Sequence, residues 1–323
     1  MSTYVVTGAA GFIGSRVAFQ LLEQGHEVVG IDNMNDYYDI QLKDYRAARL
    51  KKHPKFTFHK IDIENREALN EGLNGIKVSG VLNLAARAGV RYSMENPFIY
   101  LSTNAMGTLN LLEWMVENRV KKMVLASTSS LYAGQGMPFV ETLPVNTPIS
   151  PYAASKKAAE VMAYSYHHLH GLDISVVRYF TVFGPCGRPD MSIFRFIKWI
   201  DEGTPIELFG DGSQSRDFTY VDDVARGTIA ALQEVGYDVI NIGGGKNPIS
   251  LNVIIEWIEN HLGKKAMISQ KPFHKADLVS TWADISKAKS VLGWKPEISV
   301  EEGVRRTVEW HAANQEWLRG VNL

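Results

Sequence analysis

The first strand-like run, Thr3-Tyr4-Val5-Val6, passes without a break into Thr7-Gly8-Ala9-Ala10-Gly11-Phe12-Ile13-Gly14. Ile13, Val17, Leu21 and Leu22 then recur at helical spacing, and Gly25 closes the segment. A strand, a glycine-rich turn and a helix in that order leave few folds open. The glycines let the backbone turn tightly and approach a pyrophosphate, whose charge meets the positive start of the helix. The spacing is Gly-x-x-Gly-x-x-Gly, one residue longer between the first two glycines than the usual dinucleotide fingerprint. Three glycines alone say little; their place between a strand and a helix gives them weight. A second strand, Glu27 to Ile31, ends in Asp32-Asn33. An acidic residue about twenty positions beyond the glycines is where a dinucleotide site binds the adenosine ribose hydroxyls. A carboxylate there would repel a 2′-phosphate, and no Arg follows directly, so NAD is favoured over NADP.

The alternation continues along the chain. A polar, Tyr-rich stretch (Asn35-Asp36-Tyr37-Tyr38-Asp39) leads into a basic helix through Leu50, and Phe56 to Ile61 reads as a third strand ending in Asp62-Ile63. Val81 to Leu84 is a fourth, followed by the small residues Ala85-Ala86; a helix over 101–116 and a fifth strand, Lys122 to Ala126, come next. A helix from Tyr152 and a sixth strand, Ile174 to Tyr179, complete the series. Repeated strand–helix alternation predicts an α/β fold with a doubly wound parallel sheet. After Arg178 the composition shifts toward Gly, Pro and charge, which places a boundary near residue 180. Residues 1–180 are then a dinucleotide-binding domain, with a return segment near 220–243, and residues 181–323 a smaller second domain. The 34 basic and 35 acidic side chains nearly cancel, which argues against nucleic acid or a membrane surface as partner. No signal-peptide pattern precedes the first strand, no apolar run approaches membrane-spanning length, and the single Cys186 permits no internal disulfide. A cytoplasmic protein is expected.

Tyr152 and Lys156 lie four residues apart at the start of a helix, and i, i+4 residues share a face. A phenol is a poor base near neutral pH unless a neighbouring positive charge favours its phenolate. The spacing therefore predicts that Lys156 lowers the Tyr152 pKa toward a range useful for proton transfer; an ordinary amphipathic helix start has the same pattern. Ser127-Thr128-Ser129-Ser130 follows the fifth strand, at the end where open α/β sheets place ligands, although such a run also suits a turn. His167-His168-x-His170 suggests a metal only superficially, because on one helical turn these side chains point apart. No metal is expected.

In this order and spacing the pieces resemble the extended short-chain dehydrogenases/reductases over essentially the whole chain. The markers are Gly8/Gly11/Gly14, Asp32, Asp62-Ile63, Leu84-Ala85-Ala86, Asn104, Ser127-Thr128 and Tyr152/Lys156. Within that group the chain looks like a nucleotide-sugar 4-epimerase, most like the UDP-glucuronate 4-epimerases. The stretches Asp32 to Asp39, Ala88 to Ser93, Arg178 to Pro185 and Gly187 to Met191 carry the closer match. Glucose/galactose epimerases usually have Asn where Thr181 stands and Arg where His274 stands; Cys186 and His274 also depart from the glucuronate pattern.

The resemblance implies a Rossmann domain with a smaller substrate domain, bound NAD, a UDP-sugar substrate and a homodimer paired through helices 101–116 and 152–169. It makes Tyr152, Lys156 and Thr128 catalytic. It assigns the cofactor to Gly8, Gly11, Phe12, Ile13, Gly14, Asp32, Asn33, Asp62, Ile63, Leu84, Ala85, Ala86, Asn104, Ser127, Tyr152, Lys156 and Tyr179. Arg91, Arg188, Phe209, Arg216 and Asp277 are its candidate contacts to the UDP moiety. Thr128 meets the sugar 4-oxygen, and Ser129, Ser130 and Thr181 are neutral donors suited to a sugar carboxylate. Related dehydratases typically carry Asp-Glu where Ser129-Ser130 stand, which disfavours that reaction. A glucose or N-acetylhexosamine epimerase, a decarboxylase of the same substrate and a non-catalytic NAD-binding protein are the alternatives.

Overall fold

The computed structural model describes residues 1–246, 248–273 and 279–323. The chain opens with β1 (Thr3–Thr7), α1 (Phe12–Glu23), β2 (Glu27–Asp32), α2 (Ile40–Lys51), β3 (Phe56–Lys60), α3 (Arg66–Gly72) and β4 (Gly80–Asn83). It continues through α4 (Val90–Glu95), α5 (Pro97–Tyr100), α6 (Gly107–Glu117), β5 (Lys122–Thr128), α7 (Pro151–His170), β6 (Asp173–Tyr179) and β7 (Thr181–Phe183). Then come α8 (Ser192–Glu202), β8 (Ile206–Phe209), β9 (Ser215–Arg216), β10 (Phe218–Tyr220), α9 (Val221–Ala230) and β11 (Tyr237–Ile242). Last are β12 (Ile249–Ser250), α10 (Leu251–Leu262), β13 (Ile268–Lys271), α11 (Ser286–Leu292), α12 (Val300–Ala313) and α13 (Gln315–Leu318).

Among the described residues seven strands form the main sheet in the order β3-β2-β1-β4-β5-β6-β11, every neighbouring pair parallel. This is the doubly wound sheet that the alternation predicts. Successive strand side chains face opposite ways, so Val5 and Val6 enter different cores. Val6 packs with Phe12, Val17 and Leu21 of α1 and Val221 and Val224 of α9. Val5 packs with Leu111, Leu112 and Met115 of α6 and Ala159 and Ala163 of α7. Between β1 and β4 the strand order reverses, which opens a crevice at the strands' C-terminal ends. Only Phe180 separates β6 from β7, which pairs with β10; the β9–β12 and β8–β13 pairs complete the smaller strands. Phe183, Phe196, Ile197, Phe218, Ile254 and Val304 form a separate core between these strands and α8, α10 and α12.

Two local features set the geometry of the crevice. α7 is well delimited: Ser150 caps its first turn by accepting from the Ala153 amide at 3.2 Å, Pro151 occupies the first position, and Gly171 ends it with φ +64°. The helix expected at 101–116 instead starts at Pro97 and contains a π turn, Leu101–Met106, before α6. Three polar contacts hold that turn: Ser102 and Thr103 donate to the exposed Glu64, and the buried Asn104 reaches the Arg87 backbone. Among the described residues no helix is long and apolar enough to cross a membrane.

At the glycine turn the backbone leaves no room for a side chain. Gly8 has φ +69°, and a Cβ on Gly14 would lie 2.1 Å from the Gly8 carbonyl oxygen. Gly14→Ala should therefore lower stability by about 1–3 kcal/mol, the range for overpacking a tight site. Thermal unfolding measures it, and an unchanged melting temperature would contradict the contact.

Candidate active site

The cradle is built by backbone groups held in place from below. Thr7 Oγ1 accepts from the amides of Leu84 and Ala85, both at 3.1 Å, and donates to Asn83 Oδ1 at 2.7 Å, tying the end of β1 to the end of β4. Asp32 is nearly buried at the end of β2; its carboxylate accepts from the amides of Ala10 at 3.1 Å and Met34 at 2.9 Å. Asn33 donates to Asp62 at 2.7 Å, joining the ends of β2 and β3. The residue before α1, Gly11, has no side chain to cap the helix, so its first-turn amides carry no capping side chain.

A cleft open to solvent runs over this cradle. Of the positions expected for the cofactor, Gly8, Gly11, Phe12, Ile13, Gly14, Asp32, Asn33, Asp62, Ile63, Leu84, Ala85, Ala86, Ser127, Tyr152, Lys156 and Tyr179 line it, and Thr128 and Arg188 join them. These residues fit a dinucleotide. Glycines leave space for a pyrophosphate, uncapped amides face it, Asp32 lies at the ribose position, and Arg87 lines the wall with its Nε buried and unpartnered. Asn104 does not line the cleft. It is buried and clamps the Arg87 backbone from both sides, at 2.8 and 3.0 Å, while donating to Ser155 at 2.9 Å.

At the other end of the cleft, Thr128 closes β5 and caps the short turn Ser129–Tyr132, accepting from the Ser130 amide at 3.1 Å. Burial raises the Tyr152 phenol above its ordinary value, and the Thr128 hydroxyl hydrogen bond and the Arg188 charge pull the other way. Lys156 is buried one turn further along α7. Lys156 is itself pushed down to about 8 by burial, against the opposing pull of Glu160 one turn further on. Glu160 is held between Arg178, at 2.9 and 2.8 Å, and the Ser127 hydroxyl at 2.7 Å. Ser127 thus lines the cleft while its hydroxyl is anchored behind it. Tyr179 does likewise, its hydroxyl paired with Thr228 at 2.7 Å.

The remaining expected substrate contacts stand outside the lining of this cleft. Ser129 and Ser130 lie in the turn after Thr128, and Thr181 lines a small adjoining pocket together with Arg188. Arg188 forms a two-point pair with Asp190, at 3.0 and 2.6 Å. Arg91 and Phe209, from α4 and β8, are brought together, the guanidinium 4.4 Å from the ring centre. Arg216 donates to the carbonyls of Ser215 at 2.8 Å and Val279 at 3.3 Å. Asp277 and His274 lie outside the described residues. Sequence reasoning missed Tyr37, Tyr38, Lys43 and Arg87, all in the cleft wall. Lys43 and Arg46 share the face of α2 that buries Leu42, Ala47 and Leu50, so cations on an apolar face were the available signal.

Cradle and phenol share one cleft, the arrangement that a nucleotide-dependent redox enzyme requires. The chain belongs to the extended short-chain dehydrogenases/reductases: the family model described as GDP-mannose 4,6 dehydratase matches residues 5–307. A UDP-glucuronate 4-epimerase of Thermodesulfobacterium geofontis is 61% identical over 323 residues, covering 100% of both chains. The solved UDP-glucuronic acid 4-epimerase of Bacillus cereus, in complex with UDP-glucuronic acid and NAD, is 38% identical with a TM-score of 0.89, covering 97% of this chain and 99% of that one. A Thermotoga maritima UDP-glucose 4-epimerase with UDP-glucose is 32% identical with a TM-score of 0.87, covering 97% and 99%.

The Lys156 shift has a testable sign. Its folded value of about 8 lies below the ordinary 10.5, so between those values the unfolded chain binds more protons and stability rises with pH. Lys156→Met should raise the melting temperature at pH 7 and flatten that rise. Calorimetry across pH 7 to 10.5 measures both, and a less stable variant would refute the buried-cation reading.

Proposed function

We infer that the chain is an NAD-dependent UDP-glucuronate 4-epimerase, interconverting UDP-glucuronate and UDP-galacturonate. The observation that carries this reading is the meeting of Thr128, Tyr152 and Lys156 at the far end of a dinucleotide cleft, in a chain 61% identical over its whole length to a UDP-glucuronate 4-epimerase. NAD, when bound, supplies a hydride acceptor for C4 of the sugar and returns the hydride, so no net redox change occurs. Asp32 holds the adenosine ribose and the Gly8–Gly14 turn the pyrophosphate. Tyr152 takes the proton of the sugar 4-hydroxyl and later gives it back, and Thr128, hydrogen-bonded to that phenol, holds the 4-oxygen and helps relay the proton. Lys156 holds the nicotinamide ribose; a pKa of about 8 keeps it mostly cationic at neutral pH.

Arg91, Arg188, Phe209, Arg216 and Asp277 form the UDP side of the site in this reading. That anchor stays fixed while the 4-keto sugar turns over. The 4-keto intermediate of a glucuronate is a β-keto acid, which loses carbon dioxide when carboxylate and carbonyl align. Ser129, Ser130 and Thr181 grip the carboxylate out of that alignment; Thr128 caps the turn carrying both serines, so the 4-oxygen and the carboxylate are addressed from one strand end. Residues 1–180 with 220–243 serve as the NAD-binding unit, a division supported by β11 pairing with β6, and 181–323 as the nucleotide-sugar unit. A homodimer is supported by exposed Phe98, Leu101, Met106, Val161, Tyr164 and Leu169 on α5 to α7. A cytoplasmic setting suits the single buried cysteine.

Purified protein incubated separately with UDP-glucuronate and UDP-glucose, with products resolved by chromatography and NMR, tests the reading. UDP-galacturonate should form from the first without accumulated NADH, and Tyr152→Phe should slow turnover by about 10²–10⁴-fold. Carbon dioxide and a UDP-pentose would make it a decarboxylase. Activity on UDP-glucose alone would move it to another sugar, and full function with Phe at position 152 would leave only a binding protein.

A further inference from the structure

In a reaction that regenerates its cofactor every cycle, cofactor release is no part of turnover, so the site has no need to open toward solvent on that side. The structure holds a closure of that kind, and it runs through a residue outside the cleft wall. Arg46 projects from α2 and is nearly buried. Its Nε donates to the Cys186 carbonyl at 3.1 Å, and one terminal nitrogen donates to Cys186 at 2.6 Å and Gly187 at 2.9 Å. The other terminal nitrogen donates to the Ala10 carbonyl at 3.2 Å and the Tyr38 hydroxyl at 2.7 Å. All five N–H groups are engaged. No carboxylate is among these partners in the described residues. Burying a cation costs desolvation free energy that here only hydrogen bonds to neutral oxygens offset, so all five bonds tie the segments that supply those oxygens.

The parts it joins are the two lips of the cleft and its floor. Ala10 belongs to the glycine turn. Tyr38 belongs to the lip that follows Asp32. Cys186 and Gly187 belong to the segment after β7, which crosses in front of α1: a Cβ on Gly187 would lie 3.9 Å from the Phe12 ring. Cys186 itself is held at φ +54°, a conformation few residues other than glycine adopt. The next residue, Arg188, lines the cleft and approaches the Tyr37 ring at 6.0 Å, so the lips also meet directly beside the fastening.

Resting on the dinucleotide reading above, we propose that Arg46 is a positioning residue for cofactor retention, fastening the 186–188 segment and the Tyr37–Tyr38 lip over the glycine turn so that NAD stays bound through many catalytic cycles. It does so without lining the cleft. Removing it leaves Asp32, the glycines, Tyr152 and Lys156 in place and frees the lips to part.

The test compares wild type, Arg46→Met, Arg46→Lys and, as a control, Lys122→Met. Lys122 is another buried cation, paired with Asp173 and Ser175 at the opposite, N-terminal end of the strands. Bound NAD is quantified after gel filtration, and its exchange is followed with isotopically labelled NAD, beside melting temperature and turnover. Wild type should carry NAD through the column. Arg46→Met should lose it and exchange at least about tenfold faster, since such changes fall mainly on the off-rate, while added NAD restores turnover. Arg46→Lys should be intermediate, and Lys122→Met should lose stability but keep NAD. A folded Arg46→Met that exchanges NAD as slowly as wild type overturns the proposal, as does a loss of turnover that saturating NAD does not restore. If Arg46→Met fails to fold, Tyr38→Phe, which removes one fastening contact, decides: faster exchange supports the proposal and wild-type exchange overturns it. Wild-type protein that neither carries nor binds NAD refutes the dinucleotide reading itself, and this inference with it.

Discussion

Where α7 meets the sheet, the carboxylate of Glu160 and the guanidinium of Arg178 pair at 2.8 and 2.9 Å with almost no access to water. Breaking such a pair by removing one partner costs about 3–5 kcal/mol, because the other charge is left buried alone. The pair fixes the helix that carries Tyr152 and Lys156 against β6, and Ser127 ties it to β5 at the residue before Thr128. It continues outward through the Tyr132 hydroxyl, which accepts from Arg178 and donates to Asn241 on β11, both at 2.8 Å. Thr128 on β5 and Tyr152 and Lys156 on α7 are thus set by one buried polar line. Glu160 also steadies the Lys156 ammonium, whose burial works against its charge.

The cradle shows a second arrangement of the same kind. Asn83 donates to Thr108 at 3.0 Å, and Thr108 donates to the Asn104 carbonyl at 2.7 Å. With Thr7 below Gly8 and Ser155 on α7 at its ends, this thread runs from the glycine turn to the helix that carries Tyr152. The glycine turn and Tyr152 are held at a fixed separation by hydrogen bonds behind the cleft wall. That suits chemistry in which a carbon loses a hydride while its hydroxyl loses a proton.

Local pattern made the frame readable. Gly8, Gly11 and Gly14 announce themselves because a turn packed on its own carbonyls admits no other residue, and Asp32 because a strand end after such a turn has one place to point. Strand–helix alternation gave the layers for the same reason: period and order are properties of sequence. Arg87 and Tyr37 were not readable, since their arrival at the cleft depends on which strands become neighbours, and Lys43 showed only as a cation on the apolar face of α2. For Lys156 spacing fixed where its backbone lies, while the burial that pushes its pKa down comes from the packed fold. Ser129, Ser130 and Thr181 were singled out from their chemistry, and the fold gathers them beside the cleft rather than within its lining.

The π turn at Leu101–Met106 has a consequence for how this chain can change over generations. A residue more or less in an α-helix rotates everything beyond it by about 100°. The surplus residue here is what lets Leu111, Leu112 and Met115 face the sheet while Asn104, a turn or two earlier, still faces Arg87 and Ser155. Loss of a single codon within the segment would turn one of these two faces outward. The segment can therefore drift in side-chain identity at its exposed positions, but its length is locked.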